Sequence, residues 1–337
     1  MKGRQMKIGV QGSDQELLRR PLRSFQLSLE MPNLVRGIRT LRSELQRKGL
    51  VFAPHFWIGE EWFCPDYIPG ISIPFYLLDS RLLELEKRFI GFAEGEKPLD
   101  LLRVLRHESG HAIENAYGLR KDRLRIEVFG SSQTPYPRSY LPQPYSRRFV
   151  RHLANNYAQS HPDEDFAETF AVWLDPTSNW RTRYSGWSAL KKVQAMDAIM
   201  TSIKGRRPLN RLKSTYEPLH RSQLTLGQYF MKKRRQLGLD NVIDLDEKLS
   251  TVFGRSCFNG PKVDQFIMEN RSYLCGQVAE GLGEYKYRVN QVIRRLSHRA
   301  RELGLRVAPD QKIGPILDIV TAQALDDFAG KRHHIIL

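Results

Sequence analysis

The run His107-Glu108-Ser109-Gly110-His111 constrains this chain more than any other feature. It lies inside Leu99 to Tyr117, a stretch that reads as one helix and stops at Gly118, a natural residue to follow a helix. On an α-helix, residues four apart sit one turn apart on the same face. His107 and His111 can therefore each turn an imidazole nitrogen toward one metal ion, and Glu108 then lies where a bound water would sit. Zinc lowers the pKa of such a water to about 7, and a neighbouring carboxylate can take its proton as it attacks a carbonyl. Glu108 is on this reading the general base. A pair of satisfied core histidines would produce the same spacing without any chemistry.

A catalytic zinc needs a third protein ligand and an open position. The extended motif that takes its third histidine from the same segment would require Gly at 114 and His at 117, where this chain has Glu114 and Tyr117. The ligand must come from elsewhere, and the segment from His161 to Leu174 offers one. Pro162 and the acids after it fit a first helical turn, while Phe166, Ala167, Phe170, Ala171 and Leu174 form a core stripe flanked by Glu164 and Glu168. Two carboxylates one turn apart allow one to ligate zinc and the other to accept the second N–H of a ligating histidine, fixing its tautomer. Glu164 is the expected ligand and Glu168 the expected partner of His107, with Glu168 or His161 as the other ligand choices. An acidic helix start favoured by the macrodipole would look the same.

The segments HESGHAIENAYG and DEDFAETFAVWL resemble the zinc-binding metallopeptidases of bacteria, in the gluzincin group of zincins. The second segment is also similar to the corresponding helix of anthrax lethal factor, a member of that group. The resemblance runs from about Ile73 to Trp187. It implies a zincin-like catalytic domain, one catalytic Zn²⁺ and peptide-bond hydrolysis. In lethal factor a tyrosine seven residues before the glutamate ligand polarises the substrate carbonyl and protonates the leaving amine, and the residue in that place here is Tyr157. The resemblance thus gives Tyr157 an electrophile's role, with His152 and His161 in reserve. The signature that aminopeptidases of this group place before the zinc helix is absent, since Leu99 to Arg106 reads LDLLRVLR, so an endopeptidase is expected.

The rest of the chain sets the frame. Helical spacing suggests helices between about Gln15 and Lys48, the clearer one over Pro32 to Lys48, and another after the Asp79-Ser80 cap. Val51 to Phe63 and Ile71 to Leu78 read as short strands of a small sheet, with Pro54 and Pro74 favouring edges. The strand near Ile71 to Leu77 is the candidate edge for an extended peptide. Gly130 to Tyr145 is a long irregular loop, and helical patterns resume at Asp163 to Leu174 and at Trp187 to Ile203. The expected fold is α+β, a zincin-like catalytic domain over residues 1–204 followed by a mostly helical C-terminal region over 205–337.

Hydrophobic residues at 41% and charged ones at 27% describe an ordinary globular chain of 337 residues. Its first twenty residues lack the apolar core of a signal peptide, and no stretch reaches the roughly 18 apolar residues of a membrane helix, so a cytoplasmic protein with no membrane partner is expected. Cys64, Cys257 and Cys275 are an odd number with no close pair, which suits a reducing compartment and reads as buried small hydrophobes. The formal net charge of +16 is spread through both halves without a nucleic-acid signature. A protein or peptide substrate is expected, an acidic one in keeping with that charge, and nucleic acid is not. Two other readings use the same residues: a basic binding or scaffold protein with a structural or vestigial zinc site, and a zinc amidohydrolase acting on a small peptide-like molecule.

Overall fold

The first helix, α1 (Asp14–Arg19), begins at a capping box in which Ser13 accepts from the Glu16 N–H and the Glu16 carboxylate accepts from the Ser13 N–H. The computed structural model describes residues 10–137, 139–237, 242–253, 260–308, 311–329 and 335–336. After a 3₁₀ turn at Leu22–Ser24, α2 (Pro32–Arg47) buries Leu34, Leu41 and Leu45. Gly37 lets the helix approach its neighbour closely, since a Cβ there would stand 3.0 Å from Leu105 Cδ1.

Two short strands follow, β1 (His55–Gly59) and β2 (Gly70–Pro74), paired in parallel from His55 opposite Gly70 to Gly59 opposite Pro74. Both are shorter than their aromatic and β-branched runs suggest. Pro54 stands just before β1, and Pro74, without an N–H, ends β2, after which Phe75–Leu78 winds into a 3₁₀ turn. Nor is β2 an open edge: all five residues are buried, β1 lies on one side, and on the other the Ser72 N–H donates to Phe63 O. The expectation that this strand receives an extended peptide is therefore corrected.

Helix α3 (Ser80–Ile90) is capped by Asp79, as its sequence predicts, and α4 (Pro98–Tyr117) ends at Gly118, whose φ of +66° suits a residue without Cβ. A short helix not evident in the sequence, α5 (Arg123–Phe129), precedes the long loop. Helix α6 (Pro162–Leu174) is buried at every position from Asp163 to Leu174, so it is the central rod of this part of the molecule. α7 (Trp180–Arg183), α8 (Ala189–Ile203) and α9 (Leu226–Gln236) follow.

A first compact unit runs to Lys233 rather than to about residue 204. The basic run Lys204 to Pro208 looks like a linker in composition, yet the chain beyond it is bonded back onto this unit. Asn210 N donates to Ala116 O, Trp57 Nε1 to Tyr216 O at 3.0 Å, and Tyr229 Oη to Glu61 at 2.8 Å. The second unit begins at Arg234 and contains α10 (Val242–Val252), α11 (Val263–Glu269), α12 (Arg271–Leu282), α13 (Lys286–Glu302) and α14 (Gly314–Ala329) around its own core of Leu249, Ile267, Leu274, Ile293 and Leu296. The described fold is thus α+β, mostly helical with a small parallel sheet. Cys64 and Cys275 are buried, as expected, and Cys257 lies outside the described residues. No helix among the described residues is long and apolar enough to cross a membrane.

Candidate metal centre

Helices α4 and α6 pack so closely that a Cβ on Gly110 would stand 2.7 Å from Ala167 Cα. The glycine inside the His-Glu-Ser-Gly-His run is therefore a contact point, and it is what allows side chains of the two helices to converge. His107 Nε2 lies 3.1 Å and His111 Nε2 3.2 Å from the same oxygen, Glu164 Oε2, and the two nitrogens are 3.3 Å apart. Among the described residues this is the one cluster of three such donors able to hold a metal, with ligand atoms within 4.8 Å of one another. Two imidazoles and a carboxylate are a donor set that zinc accepts.

His107 is oriented from behind. His107 Nδ1 meets Glu168 Oε1 at 2.9 Å, and the other Glu168 oxygen accepts from the Leu153 N–H at 2.9 Å, so this fully buried carboxylate has both oxygens engaged away from the cluster. The tautomer of His107 that leaves Nε2 bare is the one this contact selects. Burial opposes the charged form of His107, but its bonds to Glu164 and Glu168 outweigh that and hold its pKa well above the usual range. Burial likewise opposes charge on Glu164, and the two histidines overcome it, drawing its pKa well below the ordinary carboxylate value.

Glu108 is also buried, but its carboxylate has no hydrogen-bond partner among the described residues. Burial pushes its pKa up, offset in part by His107 and His111. The other sequence candidates separate cleanly. His161 caps α6: its Nδ1 accepts from the Asp163 N–H at 3.1 Å and its Nε2 donates to Thr134 O at 2.7 Å, which leaves no nitrogen for an ion. His152 Nε2 is held by Arg103 O at 3.0 Å. Tyr157 does reach the cluster, its ring 5.5 Å from that of His107. It is turned there by Asn155 and Asn156, two successive residues with φ of +61° and +55°, a conformation asparagine adopts more readily than most. Burial and the nearby Glu164 and Glu108 carboxylates raise the pKa of Tyr157, so its hydroxyl keeps its proton.

Three contributors escape a reading of the motif. Gly110 is one. The second is Arg125, fully buried, whose Nε donates to Glu114 Oε1 at 2.7 Å while its other N–H groups reach Asp163 and Gly130 O. Glu114 continues the His107 and His111 face of α4, and Asp163 adjoins Glu164, so this guanidinium ties the end of one site helix to the start of the other. Only the helical spacing of 107, 111 and 114 hinted at it in the sequence. The third is Tyr136 in the long loop, whose hydroxyl donates to Glu164 Oε1 at 2.9 Å.

Two histidines and a glutamate on packed helices, with an unengaged carboxylate beside them, form a candidate metal-binding centre. Residues 91–244 match the family model described as "Putative zinc-binding metallo-peptidase", and the matched segment holds every residue named above for the centre. No curated protein and no solved structure matches the chain, so the likeness to lethal factor rests on the short motif alone.

Proposed function

We propose that the chain is a zinc-dependent peptidase that holds one ion through His107, His111 and Glu164. The convergence of two imidazole nitrogens on one Glu164 oxygen carries this reading, because nothing in core packing calls for two bare nitrogens 3.3 Å apart. A zinc ion bound there would supply a water of lowered pKa and a polarised carbonyl. The remaining chemistry belongs to the protein. Glu108 takes the proton of the attacking water and is suited to it, since its carboxylate is unengaged and its pKa lies above the ordinary carboxylate value through burial. Tyr157 keeps its proton and its hydroxyl has no hydrogen-bond partner among the described residues, so that hydroxyl is available to donate to the oxyanion that forms on the substrate. Glu168 keeps His107 oriented. A protein or peptide substrate and a cytoplasmic setting go with this reading, the latter in keeping with Cys64 and Cys275, which make no pair among the described residues.

Glu108→Gln tests the base. The variant should keep its zinc and lose about 10²–10⁴-fold in turnover of a cleaved peptide, read by metal analysis beside a peptide-library assay. Wild type that carries zinc and cleaves no peptide would refute the peptidase reading.

A further inference from the structure

The oxygen of Glu164 that faces away from the histidines is engaged by Tyr136 Oη at 2.9 Å. That tyrosine belongs to the irregular loop before α6, and its ring lies flat on the imidazole of His161, centroids 3.6 Å apart and planes within 13°. His161 is itself held at both nitrogens, by the Asp163 N–H and by Thr134 O. A chain of contacts therefore runs from the N-cap of α6 through His161 and Tyr136 to the outer oxygen of Glu164.

Resting on the metal-centre reading above, we propose that Tyr136 is a positioning residue of that centre: its hydroxyl reserves Glu164 Oε1 and leaves Oε2 as the single oxygen presented to the ion. A carboxylate with both oxygens free can rotate or bind an ion through both. With one oxygen held by a donor that is stacked in place, only one geometry remains, and less ordering is needed when the ion arrives. The two tyrosines of the site thus divide its work. Tyr136 acts through Glu164, whereas Tyr157, beside His107 and with its hydroxyl unengaged among the described residues, faces the reaction.

Tyr136→Phe deletes the hydroxyl and keeps the ring against His161, so it separates the hydrogen bond from the stacking. The full chain is prepared as wild type, Tyr136→Phe and Tyr157→Phe; zinc affinity is measured by competition with a chromogenic chelator, and the visible absorption of the cobalt-loaded forms is recorded. Tyr136→Phe should bind zinc about 10–100-fold more weakly and shift the cobalt bands. Tyr157→Phe should match wild type in both. Wild-type affinity and an unchanged cobalt spectrum in Tyr136→Phe overturn the proposal, as does a fall in metal-free melting temperature large enough to account for the lost affinity. Wild type that takes up no zinc overturns the metal-centre reading and this inference together, a result distinct from either of the others.

Discussion

Glu164 and Glu168 are the same residue type one turn apart on one helix, yet their surroundings give them different work. Glu164 offers one oxygen to two imidazole nitrogens, while Glu168 spends its oxygens on His107 Nδ1 and on the Leu153 N–H. Replacing Glu164 by Ala should abolish stoichiometric zinc after dialysis against a mild chelator. Glu168→Gln should weaken zinc about 10–100-fold without abolishing it, because the amide oxygen can still accept from one of two donors but not from both. Equal zinc loss in the two variants would show that the roles are not divided in this way. The residue types and their one-turn spacing could be read from the sequence. Which of them faces the histidines could not, since that depends on the rotation of α6 against α4, set by Gly110 meeting Ala167.

At the scale of elements, the site depends on how α4 and α6 are held. Gly110→Ala places a methyl group against backbone, which cannot yield as a flexible side chain would. The expected cost is about 1–3 kcal/mol in urea unfolding, together with reduced zinc content as the helices separate. Arg125→Met removes the fully buried cation between Glu114 and Asp163 and leaves them only Arg120, at 3.3 and 3.4 Å, so it should cost up to about 3–5 kcal/mol in the same measurement. A milder linkage joins α3 to α9, where Lys233 Nζ contacts Glu86 at 2.6 Å and Glu61 at 2.8 Å and Tyr229 Oη bonds to both carboxylates. Burial raises the pKa of Glu86 to about 7, against the opposing pull of Lys233. A carboxylate whose folded pKa lies above its unfolded value favours folding in its protonated form, so its contribution is complete at low pH and is lost as pH rises from about 4.5 toward 7. Glu86→Gln should remove that fall, seen as a flatter dependence of unfolding free energy on pH across this window; an unchanged slope would locate the titration elsewhere. Capping and stop signals such as Asp79 and Gly118 were readable because they act locally. The short α5 escaped notice because Arg125, its most buried residue, is charged and gains its place from partners distant in sequence.

For the whole molecule, the core around the site and the core of the second unit are built from separate sets of residues. Every residue assigned to the metal centre lies before Lys233. A fragment ending at residue 237 should therefore unfold cooperatively and bind zinc as the full chain does, measured by circular dichroism melts and metal analysis. A fragment that is unfolded or metal-free would show that the second unit supplies something the site requires.

What the sequence by itself determined were features carried by local spacing and residue chemistry: the helix bearing His107, Glu108 and His111, the acidic start of α6, the helical C-terminal region, and the need for a ligand from outside the first motif. Tertiary structure decided which carboxylate meets the imidazoles, that His161 is a cap, that Tyr136 reaches Glu164, and that the first unit continues to Lys233. Helical periodicity is a property of neighbours in the chain, whereas each of these outcomes depends on the rotation and distance between elements far apart in it. A glycine, a buried arginine and a loop tyrosine set those distances, and none of the three announces its partner in the sequence.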